Sequence, residues 1–389
     1  MSTLILFDST KDWLNLLPIT FTRTISEIRL GATTLIEKWQ KIAPDFEVVS
    51  LGTAYLKSEK IKINNDSVWV KSTILPNEDF VAQIKKLNLG QAIFEKSELL
   101  AFKGKLDDFE AGSFDKKIDN KAALSYFNRI TDIFTKCGEH LESDFKTLTF
   151  GKESAKLSPT VTVIGDKNKL FIEEGAILEA CILNVNSGPI YISKNAELME
   201  GSMVRGPFFL GEGSVLKMGA KIYGPSSFGP HCKVGGEVNN SVILGYSNKA
   251  HDGFLGNSVI GEWCNLGADT NNSNLKNNYG EVSIFNYQTK SFEKTGLQFC
   301  GMFMGDYSKA GINTMFNTGT VIGVGCNIFG SGFPEKHLPS FTWGGLESNS
   351  NYQLDKLFET SSEVYKRRGL VFGEKEKNLL HSILEYTRN

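Results

Sequence analysis

The chain has 389 residues, a formal net charge of −2 and a sequence pI near 6.3, so it is long enough for two or three domains and lacks the basic footprint of a nucleic-acid binder. No apolar run reaches bilayer-spanning length, and Met1 to Lys11 reads as a strand and polar turn rather than a secretory leader. These features predict a cytoplasmic protein with neither a membrane nor a nucleic-acid partner.

Residues 1 to about 150 read as α/β. Leu4-Ile5-Leu6-Phe7 is a buried strand ended by Asp8. A helix is predicted from Thr34, because Thr34-Leu35-Ile36-Glu37 has the capping-box form and Leu35, Trp39 and Ile42 then share a face. Phe46 to Leu51 and Ser67 to Val70 read as strands, and Asn120 to Phe134 as a helix capped by Asn120 with Leu124, Phe127, Ile130 and Phe134 as its stripe. Strands alternating with helices predict a mostly parallel sheet, whose ligands sit outside the carboxyl ends of the strands.

The loop from Leu17 to Gly31, LPITFTRTISEIRLG, follows the first strand and carries Arg23 and Arg29. Guanidinium forks match phosphate oxygens, which suits a nucleotide or sugar-phosphate site; the other reading pairs both arginines with Glu27 and Glu37 at the surface.

LPITFTRTISEIRLGATTLIEKW resembles the opening signature of a divergent family of sugar nucleotidyltransferases fused to hexapeptide-repeat acyltransferase domains, and RITDIFTKCGEHLESDF at 129–145 resembles that family's later helix. The family is similar to the bifunctional enzymes that make UDP-N-acetylglucosamine. The resemblance implies sugar 1-phosphate and UTP or dTTP as substrates, with Mg²⁺ serving the nucleotidyltransferase half. It gives Arg23 to the nucleotide phosphates and Arg29 to the part of a lysine, since no Gly precedes Thr22-Arg23 and no Pro-Lys follows. Asp8 is the metal candidate on position alone.

From Ile192 one large apolar residue returns every sixth position: Ile192, Leu198, Val204, Leu210, Leu216, Ile222, Phe228 and Val234. Four residues after each stands Ala196, Ser202, Phe208, Ser214, Ala220, Ser226, Cys232 or Val238, small or β-branched save for Phe208. A period of six fits neither a helix nor one half-buried strand, and predicts a hexapeptide β-helix of three short strands per coil. Its start is expected near Pro159, with Ile164, Ile172 and Leu178 pointing inward. The phase slips near Asn240, resumes at Phe254, Ile260 and Leu266, and returns at Met304, Ala310, Phe316, Ile322 and Ile328, ending after Gly332. Six cysteines form no CxxC pair, and Cys232, Cys264 and Cys326 fall on the small-residue position, where packing in a reducing cytosol is the expectation.

An irregular polar insertion is expected at 244–284 with a histidine at its entrance. Ala250-His251-Asp252-Gly253-Phe254-Leu255-Gly256, then Asn265-Leu266-Gly267-Ala268-Asp269-Thr270 and Ala310-Gly311-Ile312-Asn313-Thr314, resemble the family's acetyltransferase motif, with Asp252-Gly253 and Asp269 as departures. The resemblance implies a left-handed β-helix, acetyl-CoA as co-substrate and His251 as catalytic base. A neutral imidazole, with an ordinary pKa of about 6.5, can take the proton of an attacking amine. Lys249, Asn265, Asn272, Tyr279, Ala310 and Asn313 make the sugar-phosphate or acyl-donor neighbourhood. His140, His231, His337 and His381 are read as ordinary turn or surface histidines, and the asparagines as either sugar ligands or left-handed turn formers.

Asn351 to Arg368 reads as an amphipathic helix and a second starts at Glu374, both packing on the β-helix end or a neighbouring subunit. The expected domains are 1–155 nucleotidyltransferase-like, 156–338 β-helix and 339–389 helical. Flat prism faces, with the family's catalytic residues where two faces meet, predict a homotrimer. Other classes consistent with the chain are an acyltransferase with an inactive N-terminal half, a nucleotidyltransferase with a scaffolding β-helix, and a non-enzymatic assembly protein.

Overall fold

The computed structural model describes residues 2–57, 63–345 and 349–388, which form two compact units. One comprises residues 1–16, 23–28 and 33–129; the other holds 130–389 together with 17–22 and 29–32. The division thus falls earlier than residue 155, and the Leu17–Gly31 loop is shared between the units in alternating pieces.

The first unit is built on a six-stranded sheet in the order Phe46–Leu51, Ser2–Phe7, Val68–Lys71, Glu98–Lys103, Gln91–Glu95, Lys116–Asp119, in which Glu98–Lys103 runs antiparallel to its neighbours and the rest run one way. The first strand is apolar throughout because both faces are covered: Leu4 and Leu6 join the cluster of Trp39, Val70 and Phe80, whereas Ile5 and Phe7 join Trp69, Phe94 and Phe102. The helix Leu35–Ile42 begins at the predicted capping box, with Thr34 Oγ1 accepting from the Glu37 amide and Glu37 Oε2 from the Thr34 amide at 2.6 Å. Its Trp39 is fully buried and donates to the Ile74 carbonyl at 3.1 Å.

The predicted helix from Asn120 to Phe134 does not form. Asn120 closes a local turn on Ala122, the Phe127 amide pairs with the Thr73 carbonyl at 2.8 Å, and the Leu75 amide pairs with the Ser125 carbonyl at 3.0 Å. Cross-chain pairing satisfies this backbone and overrides its helical spacing. Helices appear only at Asp132–Thr135 and Cys137–Thr149, within the second unit.

The second unit winds three parallel sheets of nine, ten and six strands around one apolar column, the architecture of a hexapeptide parallel β-helix; the ten-stranded sheet ends in one antiparallel strand, Asn349–Asn351. All eight residues of the uninterrupted period point inward. Ile192 stacks on Leu210 and Leu210 on Phe228, so one coil is eighteen residues. Burying each such side chain stabilises the prism by about 1.5–3 kcal/mol. Cys232, Cys264 and Cys326 are buried free thiols, and burial pushes all three upward in pKa.

The slip near Asn240 has a simple origin. Phe228 stacks on Ile243 and Ile243 on Ile260, coils of fifteen and seventeen residues. Val238 therefore takes the inward place above Ile222, and Leu255, rather than the expected Phe254, lies above Val238. At the start of the prism Ile164 is 42% exposed, and Val163 packs inward instead. The insertion is also displaced: coils run regularly through Asn272, and residues 273–301 leave the prism, carrying the hairpin Ser283–Asn286 and Ser291–Lys294. The sheets continue past Gly332 through His337–Leu338 and Thr342–Gly344.

The C-terminal helices are Leu354–Lys366 and Glu374–Arg388. Along one corner of the prism the left-handed backbone positions hold His231, Tyr246, Trp263 and Tyr307 where Gly or Asn would be ordinary. The rings of His231, Tyr246 and Trp263 follow one another in contact, and Tyr365 of the first helix stacks on Trp263 at 3.8 Å and bonds the Tyr307 hydroxyl at 2.8 Å. No helix of the described residues is long and apolar enough to cross a membrane.

Candidate functional site

His251 lies in the turn between Asn248–Lys249 of the second sheet and Phe254–Gly256 of the third. Beneath it the chain passes from Val234 to Val238 in four steps, where the coil before takes six from Leu216 to Ile222. The shortened corner is Gly235-Gly236, and both glycines are required by what rests on them. A Cβ on Gly235 would stand 2.3 Å from the Ala250 carbonyl oxygen; one on Gly236, whose φ is +70°, would stand 2.8 Å from that of His251. The histidine turn thus sits on a shelf of bare backbone.

From the coil above, the Asp269 amide donates to the Asp252 carbonyl at 3.1 Å. Asn271 Oδ1 accepts from the Phe254 amide at 2.8 Å, and Asn272 Oδ1 from the Gly256 amide at 2.9 Å while its Nδ2 donates to the Gly256 carbonyl at 3.1 Å. Side-chain amides here join Phe254–Gly256 to the next strand, Asn271–Asn272, in place of a backbone ladder. From inside, Lys249 Nζ donates to the His251 carbonyl and to that of Asp252 at 3.1 Å. Lys249 is 2% exposed and occupies an inward position, in register with Val234. Burial lowers its pKa to about 8 against the opposing pull of Asp252 and Asp269.

With its backbone held on three sides, His251 is itself exposed, and among the described residues its imidazole makes no hydrogen bond or ring contact. The structure brings Lys249 and His251 together at this corner, whereas Asn272, 3% exposed, lies at the far end of the Phe254–Gly256 strand with its side chain bonded to Gly256. Asn313 lies one coil further, in the left-handed region at φ 57°, its amide donating to the Ala268 carbonyl at 2.8 Å. Ala310 is an inward residue stacked on Leu266. Asn265 faces outward on the second sheet, in register with Asn248 and Lys309. Tyr279 is 68% exposed in the insertion, its carbonyl accepting from Gln298 Nε2 at 2.8 Å.

The outer face of the third sheet carries a groove of about 830 Å³, lined by Met203, Arg205, Lys221, Tyr223, Glu237 and Asn239 among others. Its last strand, Glu237–Asn239, pairs in register with Phe254–Gly256, the strand into which the His251 turn leads. Tyr223 donates to Glu237 Oε1 at 2.5 Å. Of these residues the sequence reading took in only Asn239, with the other asparagines; the signal for the rest was present, since they flank the inward Val204, Ile222 and Val238 and so must face out.

In the first unit Asp8 is 9% exposed at the end of the first strand. One oxygen accepts from Ser72 Oγ at 2.5 Å and the other from the Ile25 amide at 3.0 Å. Burial, aided by the nearby charges of Glu27 and Asp12, raises its pKa to about 7 despite those two bonds. Beside it Lys71, 6% exposed, pairs with Asp12 at 3.1 Å and with Glu98. Magnesium in nucleotidyl transfer is held by one or two carboxylates together with substrate phosphates. Asp8, with both oxygens engaged and a proton retained to near neutrality, does not fit that part as it stands, and among the described residues no three His, Cys, Asp or Glu side chains converge on a metal position. Arg23 belongs to this unit and is 8% exposed. Arg29 belongs to the other unit, where its guanidinium donates to the Ala32 carbonyl and lies 5.6 Å from the Phe209 ring centroid.

Residues 4–153 match the sugar nucleotidyl transferase family. The chain is 30% identical over 136 residues to the bifunctional protein GlmU of Methanocaldococcus jannaschii, covering 35% of this chain and 28% of that one. It is 36% identical over 93 residues to a bifunctional sugar-1-phosphate nucleotidylyltransferase/acetyltransferase of Sulfurisphaera tokodaii, covering 24% and 23%. It is 30% identical over 169 residues to the uncharacterized acetyltransferase YaiX of Escherichia coli O6:K15:H31, covering 43% of this chain and 73% of that one. The matched part is thus under a third of the length of the two bifunctional relatives.

Proposed function

The chain belongs to the family of bifunctional sugar-1-phosphate nucleotidyltransferase/acetyltransferases with hexapeptide repeats, and from that premise we propose that it makes a sugar nucleotide, the β-helix unit transferring an acetyl group from acetyl-CoA to an amino-sugar 1-phosphate. The observation that carries this reading is the His251 turn, a rigidly held backbone displaying an imidazole free of internal partners and leading into Phe254–Gly256, the strand next to the one that closes a groove containing Arg205 and Lys221. The sugar phosphate lies in that groove with the two cations on its phosphate oxygens. The amine attacks the thioester carbon, His251 takes the amine proton, the C–S bond breaks and coenzyme A leaves as the thiol once it regains a proton. The enzyme acts as a homotrimer, a second prism face completing the groove.

In the α/β unit, Arg23 binds the phosphates of UTP or dTTP, and the nucleotide brings the magnesium with it. Arg29 and Asp8 favour a second reading for this half, in which it binds a sugar nucleotide without turning it over. One arginine of the expected pair is engaged in the other unit, and the carboxylate is engaged internally.

The test is acetyl transfer to glucosamine 1-phosphate and nucleotidyl transfer from UTP and dTTP, measured on the full chain and on His251→Ala. Loss of the first activity alone supports the reading. Wild-type acetyl transfer by the variant overturns it.

A further inference from the structure

We propose that Lys249 is a positioning residue for His251, an ammonium enclosed in the prism that fixes the turn from inside; the proposal rests on His251 being the base. Its position belongs to the apolar column: Val234 stands below it and Leu266 above. An aliphatic residue there would avoid desolvating a charge, so the ammonium must answer a need the column alone does not have. That need is visible in the turn. Among the described residues the His251 carbonyl accepts only from Lys249 Nζ, and the Asp252 carbonyl accepts from Lys249 and from the Asp269 amide. In the corners above, the left-handed residue is Asp269 or Asn313, three after the inward residue; here it is Gly253, four after Lys249. The shift by one turns the 251 carbonyl toward the interior, where only an internal donor can satisfy it. Without that donor the 251–252 peptide would turn its oxygen out to water, swinging the histidine off its shelf.

Lys249→Leu copies the residue one coil above and is compatible with the column; Lys249→Met is a second variant closer in shape. Either should keep the far-UV spectrum and the assembly state. Acetyl-transfer kcat should fall by a factor on the order of 10 to 10², the usual effect of misplacing a reacting group by about 1 Å, with KM for acetyl-CoA unchanged. Lys249→Gln, which retains a donor, should recover part of the loss. The second readout is the His251 Cε1–H resonance, identified by its absence from His251→Ala: it should move or broaden in the Leu and Met variants while those of His231 and His381 stay in place. A Leu or Met variant that folds with an unmoved His251 resonance and wild-type kcat overturns the proposal. A moved resonance with unchanged kcat, beside an active His251→Ala, would count against the general-base reading and leave the brace standing.

Discussion

Asp8 and His251 are the two ionisable groups on which the chemistry of the two units was expected to turn, and their surroundings are opposite. Asp8 is buried with each oxygen accepting a hydrogen bond, and desolvation keeps its proton on to about pH 7. The His251 imidazole is exposed while the backbone beneath it is fixed by Lys249, Gly235-Gly236 and Asp269. A group whose own atoms are spent within the fold contributes stability. One whose frame is rigid but whose atoms are unspent is ready for a substrate. The α/β unit engages its carboxylate internally, whereas the β-helix leaves its imidazole exposed, as the proposed role of base requires.

The largest effect that would break this contrast is on acetyl transfer. His251→Ala should lower it by a factor on the order of 10²–10⁴, the usual worth of a positioned base, without changing assembly. Nucleotidyl transfer, if present, should be unchanged in the same samples.

Asp8 supplies the next test. Its folded pKa lies above its ordinary 3.8, so the folded state binds a proton more tightly than the unfolded one. Stability is then greatest below about pH 4 and is lost as pH rises toward 7, by an amount on the order of 4 kcal/mol. Asp8→Asn matches the protonated acid, with its carbonyl toward the Ile25 amide and its amide toward Ser72, and should remove most of that slope in denaturant melts of the α/β unit's transition. A steep slope persisting in the variant would return Asp8 to the set of ordinary surface-like carboxylates.

Arg23→Ala should weaken UTP or dTTP binding by roughly one to two decades, from loss of charge-assisted bonds worth about 1.5–3 kcal/mol, as read by calorimetry. Equal binding would leave the loop a structural role. Gly236→Ala should destabilise the β-helix by about 1–3 kcal/mol, through a left-handed φ and a Cβ close against the His251 carbonyl, and should reduce acetyl transfer more than its shift in melting temperature explains.

Much of the prism was legible because one physical requirement, an inward apolar side chain at each of three sheets, repeats without regard to neighbours. The Thr34 capping box was legible for a similar reason, being satisfied within four residues. The Asn120–Phe134 segment was misread because its fate depends on distant partners, Thr73 and Leu75, which no local spacing announces. Around the candidate site the motif located His251, but Lys249 was invisible as an inward residue. Counting by sixes from Val234 reaches 240, 246 and 252; two residues lost at the Gly235-Gly236 corner and one more between Val238 and Ile243 bring Lys249 into the column. The Gly-Gly pair at the point where phase is lost was the available clue.

A solenoid whose coils touch only their neighbours can unravel from its end one coil at a time. The helix Leu354–Lys366 and the residues just after it interrupt that route: Arg368 donates to Asn248 at 3.2 Å, Tyr365 stacks on Trp263 and bonds Tyr307, and Leu357 lies against Gly325. These residues belong to four successive coils, and the coil of His251 is among them. Fraying of any one would have to break the strap across all four, so opening there becomes a single cooperative event with a high barrier, and the lifetime of the folded prism under heat or protease is set by release of the strap rather than by its weakest coil.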